Sequence, residues 1–258
     1  GAWSIAASAV WTVQISDTQV VNPRVINETR FEFQREASSL TPQSTAPSIG
    51  VQGNFSGGGS NSGNSTTHQV HLEVQNYTSI QLSKNFIRMG VRVRGDRDAS
   101  STTAGTNGSF TYDCLLTVQC ADSTNPRSFQ SGLASQFSIS QINRPVNATV
   151  FDVGIYAEDD WKVRPNLTVS YGVRYETQNH LGDRNNFAPR VSFAYGVGSA
   201  KGTPKTVIRG GFGIFYDRFQ LGSVLTTIQQ NGVNQVQTVI LNPGATCTPT
   251  DISGCTGG

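Results

Sequence analysis

The stretch Leu167-Thr168-Val169-Ser170-Tyr171-Gly172-Val173-Arg174-Tyr175-Glu176 places an apolar or aromatic residue at every odd position and a polar residue or Gly at every even one. A period of two sustained in this way is a β-strand with one greasy and one wet face, because successive strand side chains point to opposite sides. A helix, with its period of 3.6, would mix the two sets.

The same alternation recurs on both sides of this segment. Phe151, Val153, Ile155, Ala157 and Trp161 oppose Asp152, Gly154, Tyr156, Glu158 and Asp160, with Asp159 on the apolar side near the strand end. Pro189, Val191, Phe193, Tyr195 and Val197 oppose Arg190, Ser192, Ala194 and Gly196. Ile208, Gly210, Phe212, Ile214 and Tyr216 oppose Arg209, Gly211 and Gly213, and Ile87, Met89, Val91 and Val93 oppose Arg88, Gly90, Arg92 and Arg94. Weaker versions run from Val70 to Tyr77, Thr29 to Arg35 and Trp11 to Ile15, which makes about eight strands.

The connections alternate in length. Asn22-Pro23, Ser83-Lys84-Asn85, Arg164-Pro165-Asn166 and Gly198 to Lys205 are short turns built from the Pro, Gly and Asn that turns require. Between these hairpins lie long stretches, about residues 37–67, 98–148 and 220–258, with His180 to Ala188 intermediate. Their low complexity, as in Gly57-Gly58-Gly59-Ser60-Asn61-Ser62-Gly63-Asn64, predicts mobile surface loops. Phe129 to Ile142 fits either a short helix or a strand. Short turns on one rim and long loops on the other are the layout of outer-membrane barrels. The predicted fold is all-β, an antiparallel up-and-down transmembrane β-barrel segment of about eight strands with long extracellular loops.

Composition agrees. Of 258 residues 36% are hydrophobic and only 14% charged, and 27 are Gly, which is too apolar in patches for disorder and too poor in helix formers for a bundle. A net charge of +2 without a long basic run gives no footprint for nucleic acid. No stretch approaches the roughly 18 apolar residues of a transmembrane helix, a test that strands escape. The chain starts at Gly1 without a cationic and apolar leader, so it is expected to be a mature protein or a fragment.

Alternation alone also fits a soluble sandwich. Two features favour lipid. Charged residues recur on the polar face, and Arg88, Arg92, Arg94, Arg174, Glu176, Arg190 and Arg209 are the candidates for a water-filled lumen. Aromatics collect toward strand ends, and Trp11, Trp161, Tyr175 and Tyr216 are candidates for the girdles at the headgroup level.

Cys114 with Cys120 and Cys247 with Cys255 form two close pairs inside polar stretches, favouring local disulfides over free thiols. A zinc site would need Cys-x2-Cys spacing or a nearby His, and neither is present. His68, His71 and His180 lie in no nucleophile motif, and the first two face opposite sides of a strand, so neither an enzyme nor a metal or cofactor is expected. The pair Asp159-Asp160 reads as hydrated carboxylates at the membrane rim.

The run Gly154-Ile155-Tyr156-Ala157-Glu158-Asp159-Asp160-Trp161-Lys162-Val163-Arg164-Pro165-Asn166-Leu167-Thr168-Val169-Ser170-Tyr171-Gly172-Val173-Arg174-Tyr175-Glu176 resembles the Y-x-Q-D-D-W-K-v-x-p-n-L-T-l-n-x-G-l-R-Y-E hairpin of TonB-dependent receptor barrels, with Glu158 where Gln is usual. It looks closest to receptors carrying an N-terminal carboxypeptidase-regulatory-like domain. Asn186 to Phe193 and Val207 to Asp217 look like the next two strands, and Ile15 to Thr18 with Val25 to Phe31 resembles an earlier hairpin. The resemblance is close over about residues 150–219 and looser elsewhere. It implies a receptor in the bacterial outer membrane, in contact with its lipid, that imports a bulky solute with a plug domain and the TonB energy-coupling system as partners. Family barrels have 22 strands. The chain is therefore expected to be one partial barrel domain over residues 1–258, with no plug present. The alternative is an independent small barrel acting as an adhesin or other loop-displaying binder, since eight strands suffice to close one.

A partial sheet exposes unpaired edges and a broad apolar face. The isolated chain should therefore aggregate in water and give β-rich circular dichroism only in detergent micelles. A heat-modifiable gel shift would mark a closed small barrel, whereas a water-soluble monomer would return the chain to a soluble sandwich.

Overall fold

Each alternating segment pairs with the next one along the wall, as period-two segments joined by tight turns must. A computed structural model describes residues 3–122, 124–198 and 205–255. The strands are β1 (Ser4–Asn22), β2 (Val25–Pro42), β3 (Ser48–Val51), β4 (Phe55–Gly58), β5 (Ser65–Gln81), β6 (Asn85–Thr102), β7 (Ser109–Tyr112), β8 (Gln136–Ile142), β9 (Val146–Arg164), β10 (Leu167–Gln178), β11 (Phe187–Val197) and β12 (Thr206–Gly213). Helix α1 (Leu221–Gln229) and β13 (Gln235–Leu241) follow.

Eight strands form one sheet in the order β1-β2-β5-β6-β9-β10-β11-β12. Every neighbouring pair is antiparallel, and β1 and β12 are its two edges. The connection of residues 199–204, predicted as a short turn, lies outside the described residues.

The long strands run further than the alternation indicated. Residues 37–42 belong to β2, 65–67 to β5, 98–102 to β6 and 146–148 to β9, so the first two long connections shrink to residues 43–64 and 103–145. A transmembrane strand needs only about 9–11 residues. The 17 to 19 residues of β1, β2, β5, β6 and β9 therefore overshoot the hydrocarbon on the long-loop side. The outer face records the crossing. Trp11, Arg35, Val70, Arg97 and Thr149 are successive cross-strand partners in one row. Above it the outward positions turn polar at Ser39, Thr66, His68 and Asn147. Trp11 stands eleven positions from Asn22, the end of β1. At a strand tilt of 35–45° that is about 25–30 Å above the turn, close to one apolar belt.

A second sheet, in the order β13-β8-β7-β3-β4, is built wholly from the long connections and the tail. The predicted mobile loops are instead folded together, and Phe129 to Ile142 resolves into a turn followed by β8. Parallel pairing of β3 with β7 stitches the first long loop to the second, and β13 with β8 stitches the tail to both. Val51, Phe110, Tyr112, Ala134, Phe137, Cys247 and Cys255 form its core, with the Phe110 and Phe137 rings 4.7 Å apart. Cys114 is bonded to Cys120 and Cys247 to Cys255.

Two tests follow from this packing. A Cβ at Gly90 would stand 2.7 Å from the Tyr156 ring and 2.8 Å from the Asn76 carbonyl oxygen, which is backbone and cannot swing away. Gly90→Val should cost about 1–3 kcal/mol, read as a lowered denaturant midpoint in detergent. Burial pushes the Tyr112 phenol above its ordinary 10.0. The neutral phenol is favoured by folding, so loop-sheet stability should be intact below pH 10 and fall as pH climbs through the higher folded value. Absorbance at the phenolate band should show a late-ionising tyrosine component, and Tyr112→Phe should reduce its amplitude.

Candidate functional site: the charged wall of the barrel

The sheet register carries the polar positions of six strands onto one face. Across the middle run Arg88, Glu158, Gly172, Arg190 and Gly213 as consecutive cross-strand partners. One step toward the loops the row is Tyr77, Gly90, Tyr156, Arg174 and Ala188. One step toward the turns it is Asp160, Ser170, Ser192 and Gly211. All seven candidate lumenal residues, Arg88, Arg92, Arg94, Arg174, Glu176, Arg190 and Arg209, therefore share a face opposite the exposed Phe151, Ile155, Val173, Val191 and Phe193.

Charges on this face are interlocked. Arg88 reaches Glu158 at 2.9 Å and Asp160 at 3.1 Å. Asp152 is only 4% exposed and takes Arg94 at 2.7 Å, with Arg92 and Arg218 each at 3.6 Å. Glu176 accepts Arg174 at 2.5 Å and Arg218 at 3.1 Å. His71 meets Asp96 at 2.5 Å, on the face that His68 leaves. A carboxylate as buried as Asp152 persists as a charge only when paired, and three guanidinium groups converge on it. Among the described residues no carboxylate pairs with Arg190 or Arg209.

One residue stands elsewhere than its alternation indicates. Tyr216, a girdle candidate on the strand pattern, lies beyond the end of β12 and lines a cavity with Asp152, Glu176 and Arg218 on the polar face. The cause is the path of the chain after Gly213. The Arg190 guanidinium stacks 4.5 Å from the Phe215 ring centroid, and Gln178 donates to the Phe219 carbonyl at 2.7 Å. Helix α1 then packs on β9 and β6, burying Val146, Ala148 and Val150 on the wall side of β9. Residues 214–234 thus fold inward as a strap over the wall. Asp159 stands on the outer face as its alternation indicates, but it is not the hydrated rim carboxylate expected. It is 9% exposed on the outer face and accepts hydrogen bonds from Asn85 at 2.6 Å and Tyr171 at 2.9 Å.

Trp161 lies on the outer face beside the Pro165-Asn166 turn, and Tyr175 lies on the same face with its ring 4.9 Å from Phe187. Asp152, Asp96, His71 and Arg218 join this network without having been among the lumenal candidates of the sequence. The first three carried a signal in their even or odd position beside the arginines. Arg218 carried none, because it follows the strand pattern's end.

A polar cluster on the outer face also escaped notice. Asn27 and Asn76 exchange side-chain hydrogen bonds at 3.1 and 3.0 Å, and Thr78 and Thr29 accept their second protons at 2.8 and 2.9 Å. Satisfied in this way, the amides sit on a lipid-side surface near the short turns without an orphaned donor.

The sequence matches the family model described as outer membrane beta barrel domain over residues 4–186 and 181–256. No curated protein and no solved structure is matched. With an antiparallel all-β wall, one apolar face and one charged face, and a family match over nearly its whole length, the chain belongs to the outer membrane beta barrel domain family and is a protein of the bacterial outer membrane.

Proposed function

We propose that this barrel wall belongs to a TonB-dependent receptor, which captures a bulky solute with its extracellular loops and passes it along the charged lumen when inner-membrane energy coupling moves a plug. The carrying observation is the hairpin Gly154 to Glu176, whose family-like residues occupy β9 and β10 around a tight turn and supply Glu158, Asp160, Arg174 and Glu176 to the wall. The partners in this reading are outer-membrane lipid, the plug and the TonB system; the reading needs no catalysis.

A second reading, a loop-displaying binder such as an adhesin, is favoured by the loop sheet. A folded, disulfide-closed platform with its own core holds a fixed binding surface better than free loops do.

Cells with and without the gene should be compared on panels of scarce radiolabelled solutes, with and without a protonophore. The receptor reading expects accumulation that requires the gene and stops when the proton gradient is dissipated. Surface binding that requires the gene, with no accumulation and no response to the protonophore, would favour the displaying binder.

A further inference from the structure

We propose that the wall carries a binding site for a compact oxyanion, a carboxylate or phosphate borne on a ring-sized solute, at Arg190 over Gly172, with Arg174 at its loop-side edge. The inference rests on the receptor reading only in taking the bound solute to be one that travels through the lumen.

The groove exists because of backbone crowding. A Cβ at Gly172 would stand 2.7 Å from the Ala157 carbonyl oxygen and 2.7 Å from Cβ of Glu158, and one at Gly211 would stand 2.8 Å from Cβ of Ser192. Glycine is the residue that fits these positions, and the floor between β9, β10 and β12 is therefore bare backbone. The resulting hollow measures about 720 Å³ and is walled by Tyr77, Tyr156 and Phe215. That is the size of an ordinary small-molecule site.

The charges around it are unequal in what they have left to offer. Glu158 and Asp160 both lie on Arg88, so the groove's own carboxylates are already satisfied. Arg174 gives its Nε–H to Glu176. Arg190 has no carboxylate among the described residues, and its stacking on Phe215 covers one face of the guanidinium while leaving the in-plane N–H groups free. A stacked, immobilised guanidinium presents the two-pronged donor geometry that carboxylate and phosphate match. Arg174 is the diagonal neighbour of Arg190 across the β10–β11 ladder, and its guanidinium leans toward Glu176 and Gly154 on the loop side, so Arg190 is the principal donor and Arg174 adds positive charge at the groove's loop-side edge. Ser170 and Ser192, direct partners one row below, add two hydroxyl donors. A cation would meet the unpaired guanidinium of Arg190, and a neutral sugar would leave that charge unanswered.

The protein, extracted from outer membranes in mild detergent, is titrated calorimetrically with glucuronate, inorganic phosphate and glucose. Circular dichroism confirms that each variant remains folded. Glucuronate or phosphate should bind and glucose should not, the tighter anion naming the group recognised. Arg190→Gln should weaken that anion tenfold or more, while Arg209→Gln, on the same face but outside the groove, should change it less than twofold. Glucose binding as tightly as the anions, no binding of either anion, or equal losses for the two variants would overturn the site. Anion binding by a protein whose cells import nothing would remove the receptor reading alone; energy-dependent import unaltered by Arg190→Gln would remove the groove alone.

Discussion

Everything in this molecule hangs on the backbone hydrogen bonds between neighbouring strands. In hydrocarbon an unpaired N–H or C=O costs several kcal/mol, and only a helix or a strand ladder satisfies every group. The chain contains no helix long and apolar enough to cross among its described residues. The ladders of the eight-stranded sheet, from β1 at one edge to β12 at the other, carry the crossing instead. Once they form, their register is a constraint on every side chain, because a slip of one residue would turn Arg88, Arg92 and Arg94 into lipid and Ile87, Met89 and Val91 onto the charged face. The apolar belt and the charged wall are thus two faces of one register.

The wall follows from that register. Setting Arg94 opposite Asp152 and Arg88 opposite Glu158 brings opposite charges into direct cross-strand contact, and the strap adds Arg218 where Asp152 and Glu176 would otherwise share fewer cations. Charge pairing at this depth contributes less to net stability than to fixing one arrangement, since the buried carboxylate is costly in any other. The strap is placed by the same partners: Phe215 on Arg190, Arg218 on the acids and α1 on the apolar upper part of β9.

What was legible in the sequence is what has a lipid face and a water face to contrast. Leu167 to Glu176 announces β10 because each step crosses between the two. Ser4 to Val10 belongs to β1 but reads poorly, since small and polar residues such as Ser4, Ala6 and Ser8 alternate with Ile5, Ala7 and Ala9 at little contrast. The loop sheet was illegible for a different reason. Its strands β3, β4 and β7 are four residues long, too short for a period to declare itself, and the β3–β7 pairing links segments far apart in the chain. Phe110 and Tyr112, both buried, were the available hint, two aromatics at alternate positions in a stretch otherwise rich in Gly, Ser and Thr. The strap was hidden because Ile214 and Tyr216 continue the alternation of β12 in sequence while the chain has already left the sheet at Gly213.

The long strands also explain why such a loop sheet is possible. Had β2, β5, β6 and β9 ended at the hydrocarbon boundary, their loops would leave the membrane surface as separate, closely tethered tails, each paying its ordering entropy alone. By extending past the row of Trp11, Arg35 and Arg97, the paired strands carry residues 43–64 and 103–145 outward on a shared rigid base. Loop ends held at fixed spacing lower the entropic cost of bringing β3 to β7, and that pairing in turn buries Val51, Phe110 and Tyr112. The tail then joins at β8 through β13, with the Arg127 guanidinium donating to the Pro243 carbonyl at 3.0 Å across the junction. The strap leaves β12 at Gly213 on that same long-loop side and packs on β9 and β6, so the loop sheet and the strap are both anchored at positions that the first ladders set.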